Sequence, residues 1–248
     1  RVVDEVPMDL TYSIEGSLFR RFPGFVRGVV VAWGVKNSPL SDVTALLRET
    51  EETLRRTLTG ETLKEDPRIL SWREAFRGMG MKPGDFRPSA EGMLRRVLRG
   101  QALPSVNPLV DIGNIVSLRR LFPVGCHAVD RLEGNLEMRE AQGTETFLPF
   151  DSESVEHPEP GEPVFLEGNL VLTRRFCWRQ GRRTLTLPDT TAVEFNVDAL
   201  PPSVQEEVEA ACREIEELVV RFCGGSVRHE VLHEGHRRMV LLTHQEGL

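Results

Sequence analysis

The chain has 248 residues, 40% of them hydrophobic and 28% charged, and its formal net charge is −7. This composition is typical of a soluble globular protein with a sizeable core, and the negative charge by itself argues against a nucleic-acid partner. No apolar run approaches the roughly 18 residues of a membrane-spanning helix. The four cysteines form no C-x-x-C pair, which predicts reduced thiols in a cytoplasmic protein.

The first part of the chain alternates between strand and helix signals. The β-branched run from Val26 to Val35 predicts a buried strand. Helical spacing then predicts three helices, each with its own start and stop signals. The first begins near Ser41 and ends at Gly60. The second runs from Asp66-Pro67 to Gly78, and the third extends over 90–99 with Ser89 as its N-cap.

A fourth helix is predicted from Pro108, with Asn107 as its cap. Asp111 and Asn114 lie three residues apart and therefore on one side of this helix. Gly113 stands between them, where it costs roughly 1 kcal/mol relative to alanine, so we expect something to pack close to the backbone there.

The residues after this helix complete a group of potential ligand contacts. Pro123 and Gly125 are expected to stop the helix, and a short extended segment then carries Cys126, His127 and Asp130. Asp111, Asn114, His127 and Asp130 can all form hydrogen bonds with a ligand and fall on two adjacent elements. A nucleophilic role for Cys126 beside His127 is disfavoured, because neighbouring strand residues point to opposite faces.

From Asn135 the hydrophobic period changes to two, which predicts strands. The expected strands cover 135–142 and 144–150, joined near Gly143, and 164–167, 170–179, 183–187 and 192–197. Turn signals stand at Gly168-Asn169 and Gln180-Gly181. From Pro201 we expect a long helix capped by Ser203 and two strands around Glu234-Gly235. The pattern predicts an α+β fold of mixed and antiparallel sheets flanked by helices, with a main domain over 1–200 and an appended helix and hairpin over 201–248.

An ordered set of motifs spans residues 105–134. It consists of Asn107, Val110-Asp111, Asn114, Pro123, His127-Ala128-Val129-Asp130 and Glu133-Gly134. Looser matches lie between Phe22 and Leu200, at Gly161-Glu162, Trp178-Arg179 and Thr190-Thr191. The pattern resembles the B3/B4 editing domain of the bacterial phenylalanyl-tRNA synthetase beta subunit, and still more the free-standing proteins built from that domain.

The resemblance implies hydrolysis of a wrong amino acid from tRNA, without a metal or a nucleotide cofactor. It implies Asn114 and His127 as the catalytic pair. The residues expected to contact the substrate are Asp111, Gly113, Arg179, Thr190 and Thr191. Gly113 stands where the synthetase domain has a threonine, and that domain's Gly-Gly-x-Glu element has no clear counterpart here, so the amino acid removed is not predicted.

The site residues also admit structural roles. Asp111 can lock its helix by a hydrogen bond, and His127 can be a buried histidine bonded to a carbonyl group. Arg179 can bind a carboxylate or phosphate with two hydrogen bonds, or it can clamp the fold. An aminoacyl ester is already activated, so positioning and oxyanion stabilisation are the main requirements for its hydrolysis.

Basic residues are distributed unevenly along the chain. The segment from Lys82 to Arg131 contains eight basic and four acidic residues, and 194–217 is strongly acidic. Such asymmetry can hold a polyanion on one face, although arginine can equally be the chain's ordinary surface cation. The candidate RNA contacts are Arg95, Arg96, Arg99, Arg119 and Arg120. The alternatives to a tRNA deacylase are therefore a tRNA-binding module without chemistry and a binder or hydrolase of amino-acid-like molecules.

The segment His229-Glu-Val-Leu-His233 has the H-E-x-x-H spacing of a zinc site. That motif requires a helix, whereas residues 227–233 alternate as in a strand and Gly235 follows at once. We therefore predict a strand with solvated histidines, including His236, and no metal site.

Overall fold

The computed structural model describes residues 9–82 and 87–246. The helices are α1 (Gly16–Arg21), α2 (Ser41–Thr57), α3 (Gly60–Glu65), α4 (Pro67–Gly78), α5 (Ser89–Leu98), α6 (Pro108–Arg120) and α7 (Gln205–Cys223). The strands are β1 (Leu10–Ile14), β2 (Val26–Trp33), β3 (Val124–Ala128), β4 (Leu136–Glu140), β5 (Thr146–Phe147), β6 (Pro163–Glu167), β7 (Leu170–Arg174), β8 (Arg179–Gln180), β9 (Ala192–Ala199), β10 (Ser226–Leu232) and β11 (Arg238–Leu242).

Within these residues the strands form two sheets. A seven-stranded mixed sheet has the order β11-β1-β4-β6-β7-β5, and β8 also pairs with β7. A four-stranded sheet has the order β10-β2-β9-β3, and all its pairs are antiparallel. The α+β class and the mixed and antiparallel sheets predicted from the sequence are thus confirmed.

The four-stranded sheet lies between the helices and the mixed sheet. Successive residues of β2 serve different cores, because strand side chains alternate between faces. Val30 packs with the helices α2, α5, α6 and α7, whereas Val29 and Val31 pack with residues of the mixed sheet. All but the last residue of β2 are buried, as expected for a strand covered on both faces.

Local capping explains where the predicted helices begin. Asn107 Oδ1 accepts a hydrogen bond from the backbone N–H of Val110 at 3.1 Å, and Pro108 occupies the first turn of α6. Asp66 caps α4 through the N–H of Arg68. Ser89 does not cap α5, because the helix already begins at Ser89, and no side chain caps it.

Two strand connections differ from the sequence prediction. The strands β4 and β5 do not pair with each other, since β4 pairs with β1 and β6 and β5 pairs with β7. The hairpin turn after β7 lies at 175–178, where Arg175 and Phe176 adopt positive φ, and not at Gln180-Gly181. Gly181 is required for close packing instead, because a Cβ there would lie 3.0 Å from the carbonyl oxygen of Val171. Residues 183–187 form no strand.

Residues 201–246 are built into both sheets. The helix α7 packs on α6 and β2, β10 pairs with β2 along its whole length, and β11 pairs with β1. The two C-terminal strands are joined by a tight turn in which His233 and His236 exchange backbone hydrogen bonds of 3.0 Å. Residues 201–246 thus share both sheets with the residues that precede them. Across residues 9–82 and 87–246, no helix combines the length and apolar character needed to cross a membrane.

Candidate functional site

The strand β9 presents three polar side chains to the space between the sheets. Glu194, Asn196 and Asp198 alternate with the apolar residues of its other face, and all three are buried. Asp198 forms a buried ion pair with Arg27, whose Nε and Nη2 lie 2.6 and 2.8 Å from the two carboxylate oxygens. Arg27 also donates to the hydroxyl of Tyr12 at 3.0 Å. A buried charge is tolerated only when it is paired in this way.

Gly125 on β3 makes room for Asn196. The two residues are paired across the strands β3 and β9. A Cβ atom at position 125 would lie 2.5 Å from Asn196 Oδ1 and 2.9 Å from its Nδ2, closer than nonbonded atoms approach. The amide of Asn196 therefore occupies the volume that any other residue at 125 would fill.

His127, paired with Glu194 across the same two strands, is fully enclosed. Its Nδ1 lies 2.6 Å from Thr184 Oγ1, and its Nε2 lies 3.2 Å from Thr173 Oγ1. Its ring packs edge-on against Phe165, with centroids 5.2 Å apart. Burial, and secondarily the charge of Arg27, lower the pKa of His127 to about 3, so the imidazole is neutral at physiological pH.

Glu194 lies beside His127 without a strong partner. Its Oε1 is 3.9 Å from His127 Nε2, and neither carboxyl oxygen forms a hydrogen bond with the described residues. Burial raises the pKa of Glu194 to about 8, so this carboxyl group is mostly protonated at neutral pH. The environment of His127 is thus polar and nearly uncharged on this side.

A cavity of about 100 Å³ opens at this end of the space between the sheets. It is lined by Ser89, Val124, Gly125, His127, Thr173, Phe176, Cys177, Trp178, Arg179, Gln180 and Asn196. Its apolar walls and few polar groups are typical of a ligand pocket, although its volume suits a group of only a few heavy atoms.

The short strand β8 forms one wall of this cavity. Arg179 pairs with Glu156, with Nη1 3.0 Å from Oε2, and its guanidinium stacks over Trp178 and Phe147. Gln180 donates from Nε2 to the carbonyl oxygen of Cys126 at 3.0 Å, which ties β8 to β3. Both residues are held by packing and hydrogen bonds, as a preorganised site requires.

The structure brings some of the predicted site residues together and separates others. His127 and Arg179 line the same cavity. Asp111, Gly113 and Asn114 lie on α6, which packs on the opposite face of the four-stranded sheet. The expected cluster of helix and strand residues is therefore not formed, because one strand layer lies between its two halves.

Asp111 and Gly113 have structural contacts on that opposite face. Asp111 accepts hydrogen bonds from the Ser105 hydroxyl at 2.5 Å and from the N–H of Val106 at 3.0 Å, which fixes the segment before the helix. A Cβ at Gly113 would lie 3.5 Å from Val124, an ordinary contact, so the expected close approach to the backbone is absent at this residue. Asn114 is half-buried and forms no side-chain hydrogen bond with the described residues.

Thr190 and Thr191 stabilise the turn before β9. The buried Thr190 accepts a hydrogen bond from the N–H of Leu187 at 2.8 Å. The exposed Thr191 donates its N–H to Asp130 at 2.9 Å. Neither threonine lines the cavity described above.

Most of the candidate RNA-binding arginines already have partners. Arg119 and Arg120 both pair with Glu214 of the acidic helix α7, at 2.7 and 2.6 Å. Arg95 pairs with Glu91 at 2.8 Å. The remaining two, Arg96 and Arg99, are exposed near the end of α5, and Arg96 donates to a backbone carbonyl at 3.2 Å.

The H-E-x-x-H segment lies on β10 and the turn that follows it, as its alternation predicts. His229 contacts Glu216, and His236 contacts Glu230 at 2.8 Å. Cys126 faces the helices, opposite to His127, and burial raises the pKa of its thiol well above the ordinary value. This thiol is therefore not a thiolate at neutral pH.

Sequence reasoning missed Thr173, Gln180, Glu194 and Asn196 as cavity or near-cavity groups. The last two carried a signal, because polar residues at alternate positions of the apolar strand 192–199 predict a buried polar face. Thr173 carried none, since threonine is an ordinary strand residue.

The fold and the cavity define an α+β domain with a small polar pocket between two sheets. The B3/4 domain family matches residues 71–237, and the chain belongs to this family. The chain is 32% identical over 111 residues to the phenylalanine–tRNA ligase beta subunit of Mycoplasma genitalium. The matched stretch covers 44% of this chain and 13% of that protein.

A second match is to a solved structure of low sequence identity. It is an N-terminal fragment of the phenylalanyl-tRNA synthetase beta subunit from Pyrococcus horikoshii, with a TM-score of 0.43 and 13% identity over 90% of this chain and 53% of that one. The chain thus spans a minor part of the curated relative and about half of the solved fragment.

Proposed function

We propose that this protein is a deacylase that hydrolyses the ester bond of wrongly charged aminoacyl-tRNA. The observation that carries the proposal is the cavity beside the neutral His127, which joins apolar walls to the polar groups of Thr173, Arg179, Gln180 and Asn196. Membership of the B3/4 domain family, and a relative named as a phenylalanine–tRNA ligase beta subunit, support tRNA as the carrier of the substrate.

The size of the cavity fits only part of such a substrate. About 100 Å³ accommodates a small aminoacyl group, whereas the terminal nucleotide must remain outside. The ester carbonyl would then lie in the cavity, whose lining includes Thr173 and the partly exposed Arg179. The pocket thus favours small or compact amino acids over large ones.

The reaction needs little acid or base strength. A water molecule attacks the carbonyl carbon, the C–O bond to the ribose breaks, and the ribose oxygen takes up a proton as the free amino acid leaves. The ester is an activated acyl group, so positioning and hydrogen bonds to the developing oxyanion supply most of the acceleration. This chemistry suits a pocket of neutral, fixed hydrogen-bonding groups.

One observation favours a second candidate, a binder or hydrolase of small amino-acid-like molecules. Arg119 and Arg120 share the carboxylate of Glu214, which offsets one of their two positive charges, and the whole chain carries a net charge of −7. Both features weaken attraction to a polyanion. Under this alternative the cavity binds its ligand without the tRNA body.

The test is ester loss from a panel of correctly and wrongly charged tRNAs, with amino-acid methyl esters as carrier-free substrates. We expect selective deacylation of some tRNAs, abolished by Arg179→Ala and retained by Arg182→Ala. Arg182 is a suitable control because it is exposed, lies three residues away and bonds only the carbonyl oxygen of Ser152 through its side chain. Equal activity on methyl esters and tRNA esters would favour the small-molecule alternative.

The variant Asn114→Ala separates the two possible sites. Retained deacylation places the reaction at the cavity between the sheets, and its loss places the reaction at α6. No deacylation of any substrate by the wild-type protein would refute the proposed function.

A further inference from the structure

Thr173 is the hydroxyl group nearest to His127 on the cavity wall. It lies on β7, lines the cavity, and has its Oγ1 3.2 Å from His127 Nε2. Its neighbours Phe165 and Gln180 on the adjacent strands hold its backbone in place. A hydroxyl group has one hydrogen to donate and two lone pairs that accept. What Thr173 offers to a ligand therefore depends on which ring nitrogen of His127 carries the proton.

Contacts of Nδ1 indicate that this nitrogen is an acceptor. Gln180 donates from Nε2 to the carbonyl oxygen of Cys126, and this bond fixes which end of the amide is the NH₂ group. The same Nε2 lies 3.5 Å from His127 Nδ1. An NH₂ group facing Nδ1 favours an unprotonated nitrogen, to which Thr184 can also donate across 2.6 Å.

The one hydrogen-bond partner of His127 Nε2 among the described residues is Thr173 Oγ1 at 3.2 Å, which can accept. Glu194 Oε1, at 3.9 Å, lies beyond hydrogen-bond distance. A neutral imidazole carries one N–H, and the Gln180 amide on the Nδ1 side assigns it to Nε2. Thr173 then accepts from His127 and keeps its own hydrogen. Its hydroxyl forms no other side-chain hydrogen bond with the described residues.

We propose that the Thr173 hydroxyl donates this hydrogen to the ligand's carbonyl oxygen in the cavity, and that His127 positions the hydroxyl. The inference rests on the proposed function and assigns roles within that site. As water attacks the carbonyl carbon, the carbonyl π electrons move to the oxygen, which the Thr173 O–H stabilises. The C=O bond then re-forms, and the electrons of the broken C–O bond leave with the ribose oxygen, which takes up the proton given up by the attacking water.

This assignment changes the role of His127 from that implied by the resemblance. The imidazole does not take a proton from water, because its acceptor nitrogen faces Gln180 and Thr184 and is enclosed. It holds the hydroxyl in one orientation, as a positioning residue. Fixed donors of this kind typically contribute about 10²–10³ to kcat in acyl transfer.

The kinetic test compares Thr173→Val, which keeps the shape, with Thr173→Ser, which keeps the hydroxyl. We expect the valine variant to lower kcat for the best tRNA substrate by about 100-fold with little change in KM, and the serine variant to retain most of the rate. A valine variant with the kcat of the wild-type protein would overturn the proposal. Loss of the rate in both variants would also overturn it, since the hydroxyl alone would then not explain the effect.

The second measurement is the ring ¹⁵N spectrum of His127, assigned by comparison with His127→Gln. We expect the neutral tautomer with the proton on Nε2. A proton on Nδ1 would overturn the proposal, because Thr173 would then donate to Nε2 and have no hydrogen for a ligand. This spectrum is independent of catalysis.

A binding measurement separates this inference from the proposed function. The probe is 3′-aminoacylamino-adenosine, whose amide carbonyl replaces the ester and resists hydrolysis. If the wild-type protein binds the probe but deacylates nothing, the proposed function fails. The inference then still requires about tenfold weaker binding by Thr173→Val, the value of one net hydrogen bond. Equal binding by the two proteins, or no binding by the wild-type protein, would refute it.

Discussion

The two glycines next to the four-stranded sheet provide a matched pair of stability tests. Gly113 and Gly125 both lie under buried side chains, and neither adopts a positive φ. At Gly113 an added Cβ would meet Val124 at 3.5 Å, whereas at Gly125 it would meet Asn196 Oδ1 at 2.5 Å. The same chemical change should therefore have opposite effects at the two positions.

The magnitudes follow from helix propensity and from packing. Gly113→Ala removes the cost of glycine in a helix, so we expect the free energy of unfolding to rise by about 1 kcal/mol. Gly125→Ala forces the Asn196 amide to move in a packed layer, so we expect a fall of about 1–3 kcal/mol. For a chain of this size, about 1 kcal/mol corresponds to roughly 2–4 °C in Tm.

Urea unfolding followed by tryptophan fluorescence measures both changes, with the midpoint and the slope fitted separately. A destabilisation of Gly113→Ala by about 1 kcal/mol or more would contradict the described packing of α6. A neutral Gly125→Ala would contradict the position of Asn196. Since the added Cβ would make only an ordinary contact with Val124 of the cavity wall, the alanine variant should also keep any ligand binding of the wild-type protein.

Three further predictions concern charged groups. Arg27→Met should lower the free energy of unfolding by about 3–5 kcal/mol, because it leaves Asp198 buried and unpaired. Restoration of stability when Asp198→Leu is added would confirm the ion pair, whereas an additive loss in the double variant would contradict it. Glu194 has a pKa of about 8 in the folded state, above its ordinary value of 4.5, so the folded state binds one proton more than the unfolded state between these pH values. The free energy of unfolding therefore falls as pH rises from 4.5 to 8. His127 has a folded pKa of about 3, and its titration opposes this fall up to its ordinary pKa of 6.5. Between pH 6.5 and 8 the two titrations together should give a fall of about 1 kcal/mol per unit, below the limit of about 1.4 for a single proton. The fall should flatten in Glu194→Gln, as measured by urea unfolding at several pH values, and parallel curves for the two proteins would contradict the prediction. Glu214→Gln should release Arg119 and Arg120 from their ion pairs, so tRNA binding at low salt should become several-fold tighter in a filter-binding assay. Unchanged binding would show that this face does not contact RNA.

Local signals in the sequence predicted the helices and the long buried strands well. Asn107 and Pro108 start α6 as expected, because capping depends on atoms within a few residues. The β-branched run at β2 predicted a strand covered on both faces for the same local reason. These features depend little on the rest of the chain.

Partnerships between distant residues were not predictable in the same way. The sequence places His127 and Asn114 close together, yet the strand layer separates them, because consecutive elements can cover opposite faces of one sheet. Thr173 approaches His127 only through the pairing of two strands in different sheets. The pair Gln180-Gly181 is typical of a turn, whereas this glycine makes a close contact with the backbone of β7.

The placement of the last two strands has a consequence for the order of folding. Leu10 pairs with Leu242, and β10 forms an edge of the four-stranded sheet, so each sheet gains an edge strand only from the end of the described chain. Contacts between such distant residues slow folding, because a long loop must close first. A nascent chain emerging from the ribosome would therefore expose the edge of the four-stranded sheet until about residue 232 is available, and that of the mixed sheet until about residue 242. Chaperone binding should be most persistent during that interval.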